Sequence, residues 1–184
     1  MYLSEVKFWN FRKYGTRGDD PENPEPGLVL HLQQGLNVLI GQNDSGKTAI
    51  IDAIRYTLGT QSGEWIRYEE TDFHCIENSR ANEFQIECIF RGFSATEAGP
   101  FLEWLGFEEV GDKKEYILHL RLRAQHKRDR ITAQLRAGPD PLGVPIDGEA
   151  RDRLRVTYLK PLRDAENELT PGRGSRFCFR QRST

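Results

Sequence analysis

Residues 41–48 read Gly41-Gln42-Asn43-Asp44-Ser45-Gly46-Lys47-Thr48, which fits the pattern G-x-x-x-x-G-K-[ST] of a phosphate-binding loop. The pattern fixes only four of eight positions, so its setting decides its meaning. A triphosphate concentrates negative charge, and a loop that binds it must turn its backbone N–H groups inward. Gly41 and Gly46 permit that path because no Cβ obstructs it. A helix beginning at the loop adds unpaired N–H groups and a partial positive charge. Lys47 supplies a mobile point charge for the β and γ phosphates, and the Thr48 hydroxyl is a ligand for a magnesium ion bridging them. The candidate nucleotide-binding set is therefore Gly41, Asn43, Asp44, Ser45, Gly46, Lys47, Thr48 and Ala49, with Thr48 as the metal ligand and ATP with Mg2+ as the expected cofactors.

The flanks supply the setting. Upstream, Leu36–Ile40 (LNVLI) is a short apolar run that predicts a buried, parallel strand. Downstream, Ile50, Ile51, Ile54 and Leu58 form one apolar face of a helix predicted over 46–58, with Asp52 and Arg55 pointing elsewhere and Gly59 as the C-terminal cap.

Further out, the chain is rich in strand signals. Tyr2–Phe11 and Leu28–Leu32 read as strands around a polar loop at 15–27 with three prolines and three glycines. Glu83–Phe90 alternates, with Phe84, Ile86, Cys88 and Phe90 on one face, and so does Glu115–Leu122, with Arg130–Arg136 as its hairpin partner. Residues 64–82 read as irregular, 96–105 as a short helix, 138–148 as a loop, 153–159 as a strand and 162–169 as helical. The fold class expected is α/β: a P-loop lobe with a parallel core strand and its helix beside an antiparallel β subdomain, in one partial domain over 1–184.

Bulk properties narrow the rest. The 184 residues suffice for one core. Residues 1–100 carry 9 Lys+Arg against 15 Asp+Glu, and 101–184 carry 17 against 13, an asymmetry that places a basic face in the second half. Three cysteines, Cys75, Cys88 and Cys178, without CxxC spacing predict reduced thiols, and His74-Cys75 lacks the second ligand pair a structural zinc needs. The N-terminal MYLSEVKFWNF is no signal peptide and no apolar run approaches the ~20 residues of a membrane span. The reading is a soluble, cytoplasmic chain with no membrane partner.

Two segments combine with the loop into a family resemblance. Asn10-Phe11-Arg12-Lys13-Tyr14 closing the first strand, followed by Gly41–Thr48, resembles the ATP-binding-cassette ATPases of the SMC and RecF class. Tyr158-Leu159-Lys160-Pro161-Leu162-Arg163-Asp164-Ala165-Glu166, with Gly172-Arg173-Gly174-Ser175, is similar to a stretch of the OLD (overcoming lysogenization defect) family of ATP-dependent endonucleases. The resemblance covers residues 1–176. It implies that Arg12 reaches the nucleotide phosphates or ribose, that the loop at Thr71 and Asp72 lies near the adenine, and that two heads sandwich nucleotide. It also implies a serine-glycine signature, a Walker B strand and a Toprim nuclease. None of their motifs occurs in this sequence, so no complete catalytic set is expected. Residues after Arg176 depart from the family.

Arg121–Arg136 (RLRAQHKRDRITAQLR) is rich in Lys and Arg with one aspartate. On a strand, Arg121 and Arg123 share the solvated face, where they serve equally as a hydrated hairpin surface or as non-specific contacts to a DNA backbone. Arg151, Arg153 and Arg155 alternate in the same way. The function expected is an ATP-binding N-terminal lobe of an OLD-like ATP-dependent endonuclease that pairs as a homo-oligomer or with a second ATPase head. The alternatives are a head of a RecF/SMC-type DNA-repair ATPase and a non-catalytic short protein that modulates a full-length ATPase.

Overall fold

The computed structural model describes residues 1–18, 20, 22–63, 65–111, 113–128 and 130–159. Its strands are β1 (Tyr2–Trp9), β2 (Leu28–His31), β3 (Cys75–Ile76), β4 (Ser79–Arg80), β5 (Glu83–Arg91), β6 (Leu105–Val110), β7 (Lys113–Lys127), β8 (Arg130–Ala137) and β9 (Val144–Pro145). Its α-helices are α1 (Lys47–Leu58), α2 (Ala95–Ala98) and α3 (Gly148–Arg153), and short 3-10 turns occupy Glu70–Asp72 and Gly99–Phe101. The sheet runs β2-β1-β5-β7-β8-β9 with every pairing antiparallel. The 15-residue β7 is its spine. One edge of β7 pairs with β5, while the other takes β6 beside its first half (Leu105 opposite Leu118) and β8 beside its second (Ala137 opposite Leu120).

Period-two alternation explains how the sheet is covered. Val6 and Phe8 from β1, Phe84, Ile86 and Cys88 from β5, and Leu118, Leu120, Leu122 and Ala124 from β7 are buried in one core. Helix α1 lies over this face and buries Ala49, Ile50, Ala53, Thr57 and Leu58. Phe84 anchors the end nearest the loop, with ring centroids 5.1 Å from Phe11 and 4.9 Å from Phe73; such aromatic pairs contribute about 0.5–1.5 kcal/mol each beyond area burial.

Four expectations are corrected. Leu36–Ile40 is not a strand: Leu36 and Ile40 are about nine-tenths exposed and Val38 largely so, and only Leu39 packs on the core. A parallel strand needs neighbours beside it and helices over its faces, and no strand among the described residues pairs with this run. Residues 153–159 are not a strand either. Asp147 caps α3 by accepting the Ala150 N–H, Ala150 and Leu154 bury at helical spacing, and Val156 alone bridges to Thr60, in parallel. The helix over 96–105 stops early. Ser94 and Glu97 form a capping box, but Gly99-Pro100 tightens the chain and β6 starts at Leu105. Ile51 lies outside the buried face of α1, at 39% exposure. The expected helix at 162–169 lies outside the described residues.

Candidate functional site

The site is built where β1 ends. Asn10 and Arg12 both take positive φ (53° and 51°), uncommon for residues with a Cβ. The turn between them is closed by paired backbone bonds, Phe11 N–H to Tyr14 O (3.0 Å) and Tyr14 N–H to Phe11 O (2.9 Å). Buried Phe11 anchors it from below, and Arg12, Lys13 and Tyr14 project from it.

Lys13 and Tyr14 meet the glycine-rich loop. Lys13 Nζ donates to Asp44 O (3.1 Å), and the Tyr14 hydroxyl lies 3.5 Å from Ser45 O. Asp44 and Gly46 carry φ of 62° and 100°. A Cβ on Gly46 would stand 2.2 Å from Tyr14 Oη, and one on Gly41 would stand 2.8 Å from Ser45 Oγ. Gly46 is thus favoured by its backbone angle and by the close approach of Tyr14, whereas at Gly41 an added Cβ would displace the Ser45 hydroxyl.

Lys47 folds back over the loop. Its ammonium donates to Gly41 O and Gln42 O, both at 2.6 Å, with Ser45 Oγ at 3.3 Å. Thr48 is exposed, and the Ala49 side chain is buried, so Ala49 can offer a ligand only its N–H. Helix α1 starts with no side-chain cap and no acidic residue in its first turn. Its leading N–H groups, left unpaired by helix geometry, point toward the loop. Asn43 and Asp44 are exposed on the loop's outer side.

Arg12 runs along the flank of α1. It donates to Asp52 Oδ2 (2.7 Å) and Asp72 Oδ1 (3.0 Å) and lies over the Phe11 and Tyr56 rings. Burial works against its charge, but the two carboxylates outweigh burial and raise its pKa above the ordinary arginine value. Asp72 is 2% exposed and also accepts the Glu69 N–H (3.0 Å). A cavity of about 700 Å³ beside the turn brings Arg12, Lys13, Thr71, His74 and Arg80 together. The sequence singled out Arg12, Thr71 and Asp72, quoted Lys13 and Tyr14 only as part of the Asn10–Tyr14 motif, and gave Asp52 no role at the site. Asp52, set among Ile50, Ile51, Ala53 and Ile54 in α1, was the available signal.

Arg121 and Arg123 share the face of β7 opposite buried Leu120 and Leu122, and both are ion-paired there. Arg121 Nε bonds Glu87 Oε1 (2.7 Å) and its terminal nitrogen donates to Gly138 O and Asp140 O. Arg123 is bonded to Glu83. These glutamates lie on β5: Glu87 stands opposite Arg121 in register, and Glu83, opposite Gln125, reaches Arg123 diagonally.

A family model described as AAA domain matches residues 5–157. The chain belongs to the AAA domain family. The chain is also similar to parts of curated proteins that are far longer. The chain is 33% identical over 67 residues to the Chromosome partition protein Smc of Chlorobaculum tepidum, covering 36% of this chain and 5% of that one. It is 32% identical over 90 residues to the DNA replication and repair protein RecF of Prosthecochloris aestuarii (49% and 20%), and 30% identical over 103 residues to the DNA double-strand break repair Rad50 ATPase of Pyrococcus abyssi (51% and 10%). The chain therefore spans a fifth or less of the length of these relatives. A solved structure described under ATP-driven dimerization and DNA-stimulated activation of SMC ATPases superposes with a TM-score of 0.54 at 17% identity, over 93% of both chains. The fold of this AAA domain is that of an SMC-type P-loop ATPase lobe. Among the described residues no helix is long and apolar enough to cross a membrane and no His/Cys/Asp/Glu group is disposed to hold a metal ion.

Proposed function

We propose that this chain is the ATP-binding lobe of an SMC/RecF/Rad50-type ATPase head, which binds ATP with Mg2+ at Gly41–Thr48 and pairs with a second head. The observation that carries the reading is the packing of Gly46 on Tyr14, which fixes an uncapped helix start directly behind the glycine-rich loop. That geometry presents N–H groups to an anion. Lys47, now bonded to loop carbonyls, turns outward to the phosphates, and the exposed Thr48 hydroxyl is the residue that would hold the magnesium ion. The ion would neutralise phosphate charge there.

Arg12 contributes to the site through Asp52 and Asp72, which tie α1 to the turn, and Lys13 adds a second cation, beside Lys47, at the loop. Contact with phosphate or ribose would require Arg12 to leave one carboxylate. Arg121 and Arg123 are held by glutamates, so this reading does not use them on a DNA backbone. The OLD-type endonuclease reading rests on residues 158–175, of which only Tyr158 and Leu159 lie among the described residues. The relatives support the SMC/RecF/Rad50 reading ahead of it. Calorimetric titration with ATP and Mg2+ tests the proposal. Saturable binding supports it, and no detectable heat or binding at millimolar ATP overturns it. Light scattering with and without ATP tests pairing.

A further inference from the structure

A cavity of about 1010 Å³ lies away from the loop, at the far end of α1. It opens at Gly59 and Thr60, where α1 ends, and the 12-residue helix sets it about 18 Å from the phosphate-binding loop. One wall is the segment Trp65–Glu70, the second is the tip of the β7–β8 hairpin at His126, Arg130 and Ile131, and the third is α3 with Arg151.

The lining has an unusual composition. Trp65 is 89% exposed, its indole uncovered at the rim, and Tyr68 is half-buried beside it. Among the described residues four arginines line the cavity against two glutamates, Glu69 and Glu70. Arg155 is engaged by Asp152 at 2.7 Å. Arg67, Arg130 and Arg151 are exposed and form no ion pair among the described residues. Arg151 is close enough to Tyr68 to act on its hydroxyl electrostatically. Arginines at three walls with no ion pair among the described residues suit an extended ligand with repeated negative charge. A bare aromatic face among them suits a planar ring, stacked without regard to its identity. The volume stands at the top of the roughly 300–1,000 Å³ of ordinary small-molecule pockets, and arginines spread over three walls suit a ligand with more than one phosphate.

We infer that this cleft is a binding site for single-stranded nucleic acid, with Trp65 stacking on a base and Arg67, Arg130 and Arg151 contacting phosphates. A duplex keeps its bases stacked and offers Trp65 nothing. The site is independent of the nucleotide reading, because it shares no residue with Gly41–Thr48.

The test is fluorescence anisotropy of the whole chain with labelled oligothymidylate and oligouridylate of about 15 nucleotides at low salt. Trp65→Ala, whose exposed side chain carries no packing, should weaken binding at least about fivefold. Arg67→Gln combined with Arg130→Gln should weaken it further and flatten the salt dependence by about 0.7 per lost phosphate contact. A preference between the two oligomers assigns the sugar. Lys47→Ala should leave oligonucleotide binding unchanged and Trp65→Ala should leave ATP binding unchanged, so failure at one site is told from failure at the other. The inference is overturned if Trp65→Ala and the arginine variant bind as the parent does. It is equally overturned if a duplex binds as well as the single strand, if anionic phospholipid vesicles alone are bound, or if Lys47→Ala abolishes oligonucleotide binding.

Discussion

Arg12 and Asp72 hold each other twice: the Arg12 N–H donates to Asp72 O at 2.8 Å, and Arg12 Nε donates to Asp72 Oδ1 at 3.0 Å. The first bond sets the turn and the second sets the side chain, which then reaches Asp52 on α1. Three segments distant in sequence are joined through one guanidinium beside the phosphate-binding loop. Asp72 carries the buried half of this arrangement, whereas Arg12 retains 27% side-chain exposure. Asp72→Ala should therefore cost about 1.5–3 kcal/mol, the range for a hydrogen bond to a charged group. Urea denaturation reads it as a lower midpoint at unchanged slope; an unshifted midpoint would show that the pair is decorative.

Gly46→Ala should damage the site through two separate causes. The positive φ of 100° disfavours any Cβ, and the added methyl would meet Tyr14 Oη at 2.2 Å. We expect a loss of at least about 1 kcal/mol in stability and no measurable ATP binding. Adding Tyr14→Ala removes the clash but not the backbone strain, so the double variant should regain stability only in part. Full recovery would mean that the angle is unimportant.

The elements legible in the sequence are those whose signal is local. Alternation at Phe84-Ile86-Cys88 and Leu118-Leu120-Leu122, and the Gly46-Lys47-Thr48 start of α1, each follow from neighbours a few residues apart, and the structure has them. Relations between distant segments were not legible. Nothing in Arg121-Leu122-Arg123 announces that Glu87 and Glu83 stand across the ladder, because register is decided by pairing rather than by either strand. Leu36–Ile40 has the composition of a buried strand, yet burial depends on neighbours that composition cannot supply. A strand was expected over 153–159, but the Asp147 cap with Ala150 and Leu154 sets a helix at Gly148–Arg153, and only Val156 makes a bridge after it.

The charged face of the sheet gives a pH dependence. Burial raises the Glu87 pKa, but the His119 hydrogen bond and the charges of Arg121, His119 and Lys7 outweigh it and hold the carboxyl below its ordinary range. A carboxylate with a depressed folded-state pKa stabilises the protein above its unfolded value, and that contribution is lost as pH falls through the folded value. Stability should thus decline as pH drops below the ordinary carboxylate range near 4.5. Glu87→Gln should be less stable at neutral pH and show a shallower acid decline. Parallel profiles for parent and variant from thermal melts between about pH 3 and 7 would rule Glu87 out as a source.

Binding and turnover of ATP should separate in this chain. Lys47 is the one side chain of the loop whose charge reaches its interior, where it bonds Gly41 O and Gln42 O. Lys47→Ala should weaken ATP binding at least tenfold, about 1.4 kcal/mol, with little effect on folding because those carbonyls lie on exposed backbone. Hydrolysis asks for more: a water held in line with the γ-phosphate, and usually an acidic or polar group beyond it. Of the described carboxylates around the loop, Asp52 and Asp72 are committed to Arg12, and Asp44 sits exposed on the loop itself. None is disposed to orient such a water. The chain of 184 residues should therefore bind ATP while phosphate release stays near background, and plasmid DNA should remain uncut with magnesium or manganese. Turnover well above background in the purified chain, abolished by Lys47→Ala, would place a complete hydrolytic site here and would locate its missing acidic group among residues not yet assigned one.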